Sequence, residues 1–317
     1  MREGLGLPQE ASAVVELRGF KGGVVDGDQV ESPEVTFADV GGLDDVKHRL
    51  RVALLSPMAN PALRQMYRKS LRGGLLLWGP PGCGKTFLAR ATAGELRGRF
   101  IGIALHDVLD MWFGESERNL HELFEEARRA APCVLFVDEV DALGRKRSQL
   151  RHTPAREVVV QFLAELDGIS SDNDGIFVLG ATNHPWDVDT ALRRPGRFDR
   201  MLLILPPDAG AREAILRYHL RDRPLGVIDL AGIVEKTDLY SGADLAHVCE
   251  TAAEFALEDS IESGNVRPIE TADLERALAD VEPSTVPWLQ MARNYAEFGG
   301  EGATYQELLA YTREKEL

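Results

Sequence analysis

The stretch GPPGCGKT, residues 79 to 86, constrains what this chain can fold into more than any other part of it. It satisfies G-x-x-x-x-G-K-[ST] and sits between a strand-like run, LLLW, and a helical run, FLARATAGEL, as a phosphate-binding loop must. Glycines let successive backbone amides turn inward around phosphate oxygens, and the helix that follows points its positive dipole end into the same pocket. Pro81, Gly82, Cys83 and Gly84 would form the cradle, and Lys85 would reach the β and γ phosphates. Thr86 would hold a hydroxyl on Mg²⁺, with Phe87 beside it at the helix start. An ordinary Gly/Pro turn is the competing reading, and the strand-to-helix context argues against it.

The same alternation extends along the chain. Strand-like runs LLLW (75 to 78), FIGIAL (100 to 105), CVLFV (133 to 137), IFVLGA (176 to 181) and MLLIL (201 to 205) alternate with helical stretches such as Ser116 to Ala130 and Arg156 to Leu166. This predicts an α/β domain over residues 35–206, a parallel sheet flanked by helices. Pro206 and Pro207 end the series. The helical patterns AREAILRYHL, DLAHVCETAAEFALEDSI, TADLERALADV, PWLQMARNYAEF and YQELLAYTREKEL then predict a small all-helical lid domain over residues 207–317. Residues 1–34 mix many glycines with acids and are expected to form a mostly flexible leader, in which only VVEL near Val14 is strand-like.

Binding a nucleotide needs the loop alone, whereas hydrolysis also needs an acid for the metal and a group that activates water. CVLFVDEVD supplies both at the end of an apolar strand. Asp138 would hold Mg²⁺ through water, and Glu139 would polarise the attacking water as general base. Neighbouring strand-end residues point in different directions, so one acid can serve the metal and the other the water. Solvated turn acids are the alternative, which the upstream loop disfavours.

Composition limits the partners. At 317 residues and 44% hydrophobic, the chain can bury a sizeable core, more readily in two domains than in one. Its 51 acidic against 36 basic residues give a formal charge of -15, which disfavours nucleic acid or an anionic membrane as the main partner. Cys83, Cys133 and Cys249 have neither metal-ligand nor disulfide-framework spacing, so a reducing, cytoplasmic compartment is expected. No secretory leader is expected, and the longest apolar runs are strand-sized, short of a membrane span.

From about Val35 to the C-terminus the sequence resembles the AAA ATPase family, of the valosin-containing-protein, katanin and spastin type. VTFADVGGLDDVK resembles the family's entry segment, whose backbone at Val40 and Gly41 would hold the adenine. GATNHP places Asn183 at the sensor position, one strand from Glu139, where a side-chain amide orients the water or reads the γ-phosphate. ALRRPGRFDR is similar to the second region of homology and puts Arg194 and Arg197 at the two arginine-finger positions, while Arg193 and Arg200 read as a solvated basic turn. In this family the fingers project into the neighbouring subunit's site, so the resemblance implies a homo-oligomeric ring, expected to be hexameric, using ATP and Mg²⁺. His219, Gly242 and Ala243 match positions that contact the nucleotide's sugar and base, although a lone helical His is also commonly packed or solvated. SGADL carries no arginine, so no sensor arginine is expected from the lid.

Trp112 and Phe113 lie between the FIGIAL strand and the helix near Glu115, at the family's aromatic, hydrophobic, glycine pore-loop position. Gly114 frees the backbone to turn, and acids in the following first turn favour a helix start. In a ring such loops would line a central channel and grip a polypeptide without reading its sequence. The competing reading tucks the pair back into the core. GRKRSQLRH, residues 144 to 152, resembles a second pore loop, with Arg145, Lys146, Arg147 and Arg151 as candidate substrate contacts or simply a solvated basic loop. ARNYAEFGGEGATYQELL resembles the closing helix of the katanin and spastin branch, whereas Trp112 and Phe113 resemble the second cassette of the valosin-containing type, so the branch stays open.

The leading expectation is a ring motor that unfolds or threads protein substrates, with an adaptor or separate protease as further partners. The alternative is an ATP-binding switch or scaffold that assembles complexes without threading; a DNA-acting ring ATPase is a third reading. A protease in the same chain fails on chemistry, because His121-Glu122 is followed by Glu125 where H-E-x-x-H requires a second His.

Overall fold

Strands buried on both faces read as continuous apolar runs, and five of them here pair in parallel. In this computed structural model, residues 30–67, 74–104, 116–142, 155–167, 173, 175–299 and 304–317 are described. The strands are β1 (Val30–Glu31), β2 (Gly74–Trp78), β3 (Arg99–Ala104), β4 (Cys133–Asp138), β5 (Ile176–Thr182) and β6 (Phe198–Leu203), in the sheet order β1-β3-β4-β5-β2-β6.

Side chains alternate across the sheet, as a period of two demands. Leu76, Leu135 and Val137 join one core with helices α3 (Ser116–Arg129) and α4 (Ala155–Asp167), through Leu123, Phe124 and Phe162. Leu75, Leu77, Val134 and Phe136 join the other with α1 (Asp44–Leu50) and α2 (Lys85–Leu96), through Leu50, Leu88 and Ala91. Each fully buried Leu or Phe stabilises these cores by about 1.5–3 kcal/mol. Leu76 and Phe136 are each 0% exposed, so the strands bearing the candidate loops cannot shift without opening a core.

Residues 30–34, expected within a flexible leader, belong to the fold. Val30 and Glu31 pair antiparallel with Ile101 and Phe100, and the Arg90 guanidinium donates to the Glu31 carboxylate. The β3 edge offers unpaired backbone groups, and this short segment covers them.

After β6 come α5 (Ala209–Leu220), α6 (Leu230–Lys236), α7 (Gly242–Ser263) and α8 (Thr271–Asp280), which enclose a separate core around Leu216, Ile233, Leu245, Val248 and Leu274. Helices α9 (Thr285–Phe298) and α10 (Gln306–Glu314) behave differently from the rest of the expected lid. They turn back to the sheet, where Trp288, Leu289, Tyr305 and Leu308 cluster with Trp78 and Leu203. The run from α1 through a π turn at Arg51–Leu55 to Met66 is broken into short pieces, and α6 is only seven residues long, so neither carries a readable helical period.

Candidate functional site

Parallel strands deliver their C-terminal ends to one edge. In register, Trp78 of β2 lies beside Thr182 of β5, and Val137 of β4 beside Gly180 of β5. The phosphate loop, Asp138 with Glu139, and Asn183 therefore emerge side by side.

Gly82 and Gly84 adopt left-handed backbone at φ 73 and 83, which a glycine takes without steric penalty. A Cβ on Gly82 would fall 2.7 Å from the Ser241 hydroxyl, so the loop lies directly against the lid. Lys85 is buried at the first position of α2, and its ammonium donates to the Gly79 and Pro80 carbonyls at 3.0 and 2.8 Å. Burial lowers its pKa from 10.5 to about 8, only partly opposed by Cys83, Asp138 and Asp141. An anion arriving here restores the charge. Because the free loop's Lys85 loses its proton at lower pH than a phosphate-bound one, ATP binding takes up roughly one proton above that value and little below it. Affinity accordingly falls as pH rises through about 8. Calorimetry in buffers of different ionisation enthalpy measures the uptake; equal proton counts one unit above and one unit below would exclude the deprotonated lysine.

Asp138 ends β4, and burial raises its pKa against the opposing pull of the Glu139 N–H and the Lys85 charge. The Glu139 amide donates to Asp138 Oδ1 at 2.8 Å. Glu139 itself is exposed with φ 53, a left-handed conformation that costs a non-glycine residue roughly 1–3 kcal/mol. This bend separates two adjacent acids into different surroundings.

Asn183 is flanked by fixed neighbours. Thr182 Oγ1 donates to Asp141 Oδ1 at 2.6 Å and accepts from the His184 amide at 2.9 Å, while His184 Nδ1 lies 3.4 Å from Asp141 Oδ2. The Asn183 carbonyl accepts from Trp288 Nε1 at 2.7 Å. Its side-chain Oδ1 is buried with no hydrogen-bond partner among the described residues. Buried polar atoms are rarely left unpaired, so this oxygen has hydrogen-bonding capacity to spare for a group that arrives with a ligand. Together with the desolvated Lys85 ammonium and the open glycine cradle, it makes the site fit a nucleotide triphosphate with its cation, Thr86 and Asp138 being the residues that would hold the metal.

The residues expected to hold the base come from three segments. Lys47 Nζ donates to the Val40 carbonyl, and a Cβ on Gly41 would fall 2.9 Å from Ala211 Cα at the start of α5. The Ala243 amide, in the first turn of α7, donates to the Gly82 carbonyl at 3.2 Å, and Gly242 lies against the same carbonyl. Phe87 meets Tyr218 edge-on at 6.3 Å, and Tyr218 meets His219 at 5.2 Å. Burial and then the nearby Arg223 lower the His219 pKa, which favours the neutral ring. Pro81 is exposed on the loop, and Cys83 is buried with its thiol pushed up to about 12 by desolvation.

The structure does not bring Arg194 and Arg197 to this edge. The Arg197 carbonyl accepts from the Gly74 amide at 2.7 Å, at the opposite end of β2 from the phosphate loop. A five-residue strand separates the two ends, roughly 16 Å at about 3.3 Å per residue. Arg197 is held within its own protomer, its Nε and Nη2 donating to both Asp167 oxygens at 2.8 and 2.7 Å and Nη1 to the Ala191 carbonyl at 2.7 Å. Arg194 is exposed, as is Arg200, and Arg193 is half-buried.

His121, the start of the broken H-E-x-x-H pattern, instead lies 2.7 Å from the buried Glu165, which also binds Arg128 at 2.6 Å. Trp112, Phe113, Arg145, Lys146, Arg147 and Arg151 lie outside the described residues. Sequence reasoning missed Asp141, Tyr218 and Trp288. Asp141 was within reach, being an acid just past the strand end, but nothing in the sequence links Trp288 to a residue 105 positions earlier.

Comparison with known proteins agrees with this geometry. Residues 75–205 match the family model described as ATPase family associated with various cellular activities (AAA), and residues 228–275 match the AAA+ lid domain. A putative cell division cycle ATPase of Plasmodium falciparum (isolate 3D7) is 40% identical over 241 residues, which cover 75% of this chain. The chain spans 20% of that relative's length.

Proposed function

The chain belongs to the AAA family of ATPases, whose cofactors are ATP and Mg²⁺, and from that premise we propose that it acts as a ring-shaped motor that threads or remodels polypeptides. The observation that carries the ring is the separation of Arg194 and Arg197 from their own phosphate loop by the full length of β2. A guanidinium at the N-terminal end of that strand cannot serve the site at its C-terminal end. It can serve the site of a second copy, and repeating that head-to-tail contact closes a ring. Six protomers are the expected number.

In this reading Lys85 and the loop amides bind the β and γ phosphates. Thr86 and Asp138 would hold Mg²⁺, which when bound would supply neutralisation of the phosphate charge. Glu139 accepts a proton from water as the water oxygen bonds to the γ phosphorus and the bond to the bridging oxygen breaks. Asn183 Oδ1 orients that water, and Arg194 of the neighbouring copy stabilises the charge that develops. Val40, Gly41, His219, Gly242 and Ala243 hold the base and sugar. Polypeptide is the proposed substrate, met through Trp112 and Phe113, with an adaptor or a separate protease as further partners. The acidic net charge of -15 supports a protein over a nucleic acid. Among the described residues no helix is long and apolar enough to cross a membrane. The three cysteines are free and buried, in keeping with a reducing, cytoplasmic setting.

The test uses Trp112→Ala and Phe113→Ala, assayed for basal ATPase and for unfolding of a fluorescent protein fused to an unstructured tail. Basal turnover should stay within about twofold of the unmodified chain and unfolding should be lost, since apolar grip on the polypeptide is what the aromatics supply. Unfolding that persists in both variants would leave the switch or scaffold reading in place of the motor.

A further inference from the structure

Helices α9 and α10 lie outside both stretches matched by the family models, yet they reach the site. Trp288, on the second turn of α9, is 6% exposed, and its indole N–H ends on the carbonyl of Asn183 at 2.7 Å. Its ring lies 6.1 Å from Trp186, just past Asn183, and Trp186 stacks on Tyr295 at 5.0 Å. Tyr295 meets Tyr305 at 6.3 Å, and Tyr305 meets Trp78 at 5.3 Å, the last residue before the phosphate loop. One aromatic cluster thus backs both the sensor loop and the strand that carries the cradle.

The N-terminal end of α9 is tied elsewhere. Ser284 donates its amide and hydroxyl to Asp244 Oδ2 at 3.1 and 2.9 Å, and Thr285 Oγ1 donates to the Leu239 carbonyl. Asp244 belongs to the capping box of α7, whose Ala243 amide holds the Gly82 carbonyl. A single helical turn, from Ser284 to Trp288, therefore spans from the part of the lid that touches the phosphate loop to the peptide of Asn183.

A phenylalanine or leucine would pack the same aromatic space, but only an indole adds a donor that must find a partner when buried. That donor fixes the Asn183–His184 peptide plane, and with it the direction in which the Asn183 side chain leaves the backbone. Asp141 secures the residues on either side of Asn183, Thr182 and His184, whereas the Asn183 carbonyl is held by Trp288.

We infer that Trp288 is a positioning residue for Asn183, and that through it α9 makes recognition of the γ-phosphate depend on the lid being docked on the phosphate loop. This rests on the reading of Asn183 as the γ-phosphate sensor. The device differs from a contact made by the lid to the nucleotide itself, because it acts on the sensor from behind.

The experiment compares binding of ADP with that of a non-hydrolysable ATP analogue, by calorimetry on the full chain. Trp288→Phe should leave ADP affinity within twofold and weaken the analogue by about five- to tenfold, the worth of one net hydrogen bond. Benzothienylalanine at position 288, which keeps the shape and lacks the N–H, should reproduce the loss and covers the case in which the phenylalanine variant folds poorly. A fluorinated tryptophan, which keeps the N–H, should restore discrimination. Equal loss for both nucleotides, or no loss for either, would overturn the inference. Asn183→Ala is run in parallel: if it loses discrimination while the position 288 variants keep it, Trp288 has no such role and the sensor reading stands. If Asn183→Ala keeps discrimination, the sensor reading falls and takes the inference with it.

Discussion

Arg194→Ala should bind ATP as tightly as the unmodified chain and hydrolyse it about 10³-fold or more slowly, the range known for removal of an arginine that stabilises a transferring phosphoryl group. Position underlies both halves of this expectation. Arg194 is exposed at the far end of the sheet, remote from the loop that binds phosphate in its own protomer, so the free protomer's nucleotide site does not sense the change. In the proposed ring its charge would matter only when the next copy presents a phosphate to it, in a site where water is excluded and a guanidinium fork counts for more. Arg197 is the less decisive target. Its three bonds to Asp167 and Ala191 mean that removing it also disturbs its own subunit, and its hydrogen bonds hold the Asp167 carboxyl below the usual carboxylate range.

A mixing experiment separates an arginine acting across the interface from one acting at home. Lys85→Ala should lose phosphate binding and be inactive, like Arg194→Ala. When the two are mixed, some interfaces join an intact Lys85 to an intact Arg194 of the adjacent copy, and activity returns. A mixture as inactive as its parents, with subunit exchange verified by mass, would place the arginine outside the neighbour's site.

Glu139→Gln is the second large effect. The amide keeps the shape and removes the basic oxygen, so turnover should drop by about 10²–10⁴-fold while ATP remains bound. The φ of 53 at this residue means its backbone is already strained into place, and Gln tolerates the same conformation about as well. Because ATP is kept, the assembled ring should accumulate, and native mass measurement with ATP should show a discrete oligomer in place of the monomer. A variant that stays monomeric with ATP bound would count against the ring. One that still turns ATP over at the original rate would remove Glu139 as the base.

Much of the fold was legible because parallel strands covered on both faces leave uninterrupted apolar runs. CVLFV and IFVLGA became β4 and β5 with nearly the expected limits. Legibility failed where an element is held by a partner distant in sequence. Val30 and Glu31 have no strand pattern of their own and form β1 by pairing with β3. Helices α9 and α10 carry an ordinary amphipathic pattern that suits a lid, and nothing local says that their apolar faces meet Trp78 and Leu203.

The candidate site divides in the same way. GPPGCGKT and DEVD by themselves determined the chemistry, because phosphate binding by backbone amides and metal holding by a strand-end acid depend on residues adjacent in the chain. Which groups stand behind that chemistry was decided only in three dimensions: Asp141 gripping Thr182, Trp288 on the Asn183 carbonyl, Ala243 on Gly82, and Arg197 turned to Asp167. Short-range backbone geometry is written in consecutive residues. A hydrogen bond between residues a hundred positions apart exists only once the sheet and its helices have packed and brought the two together.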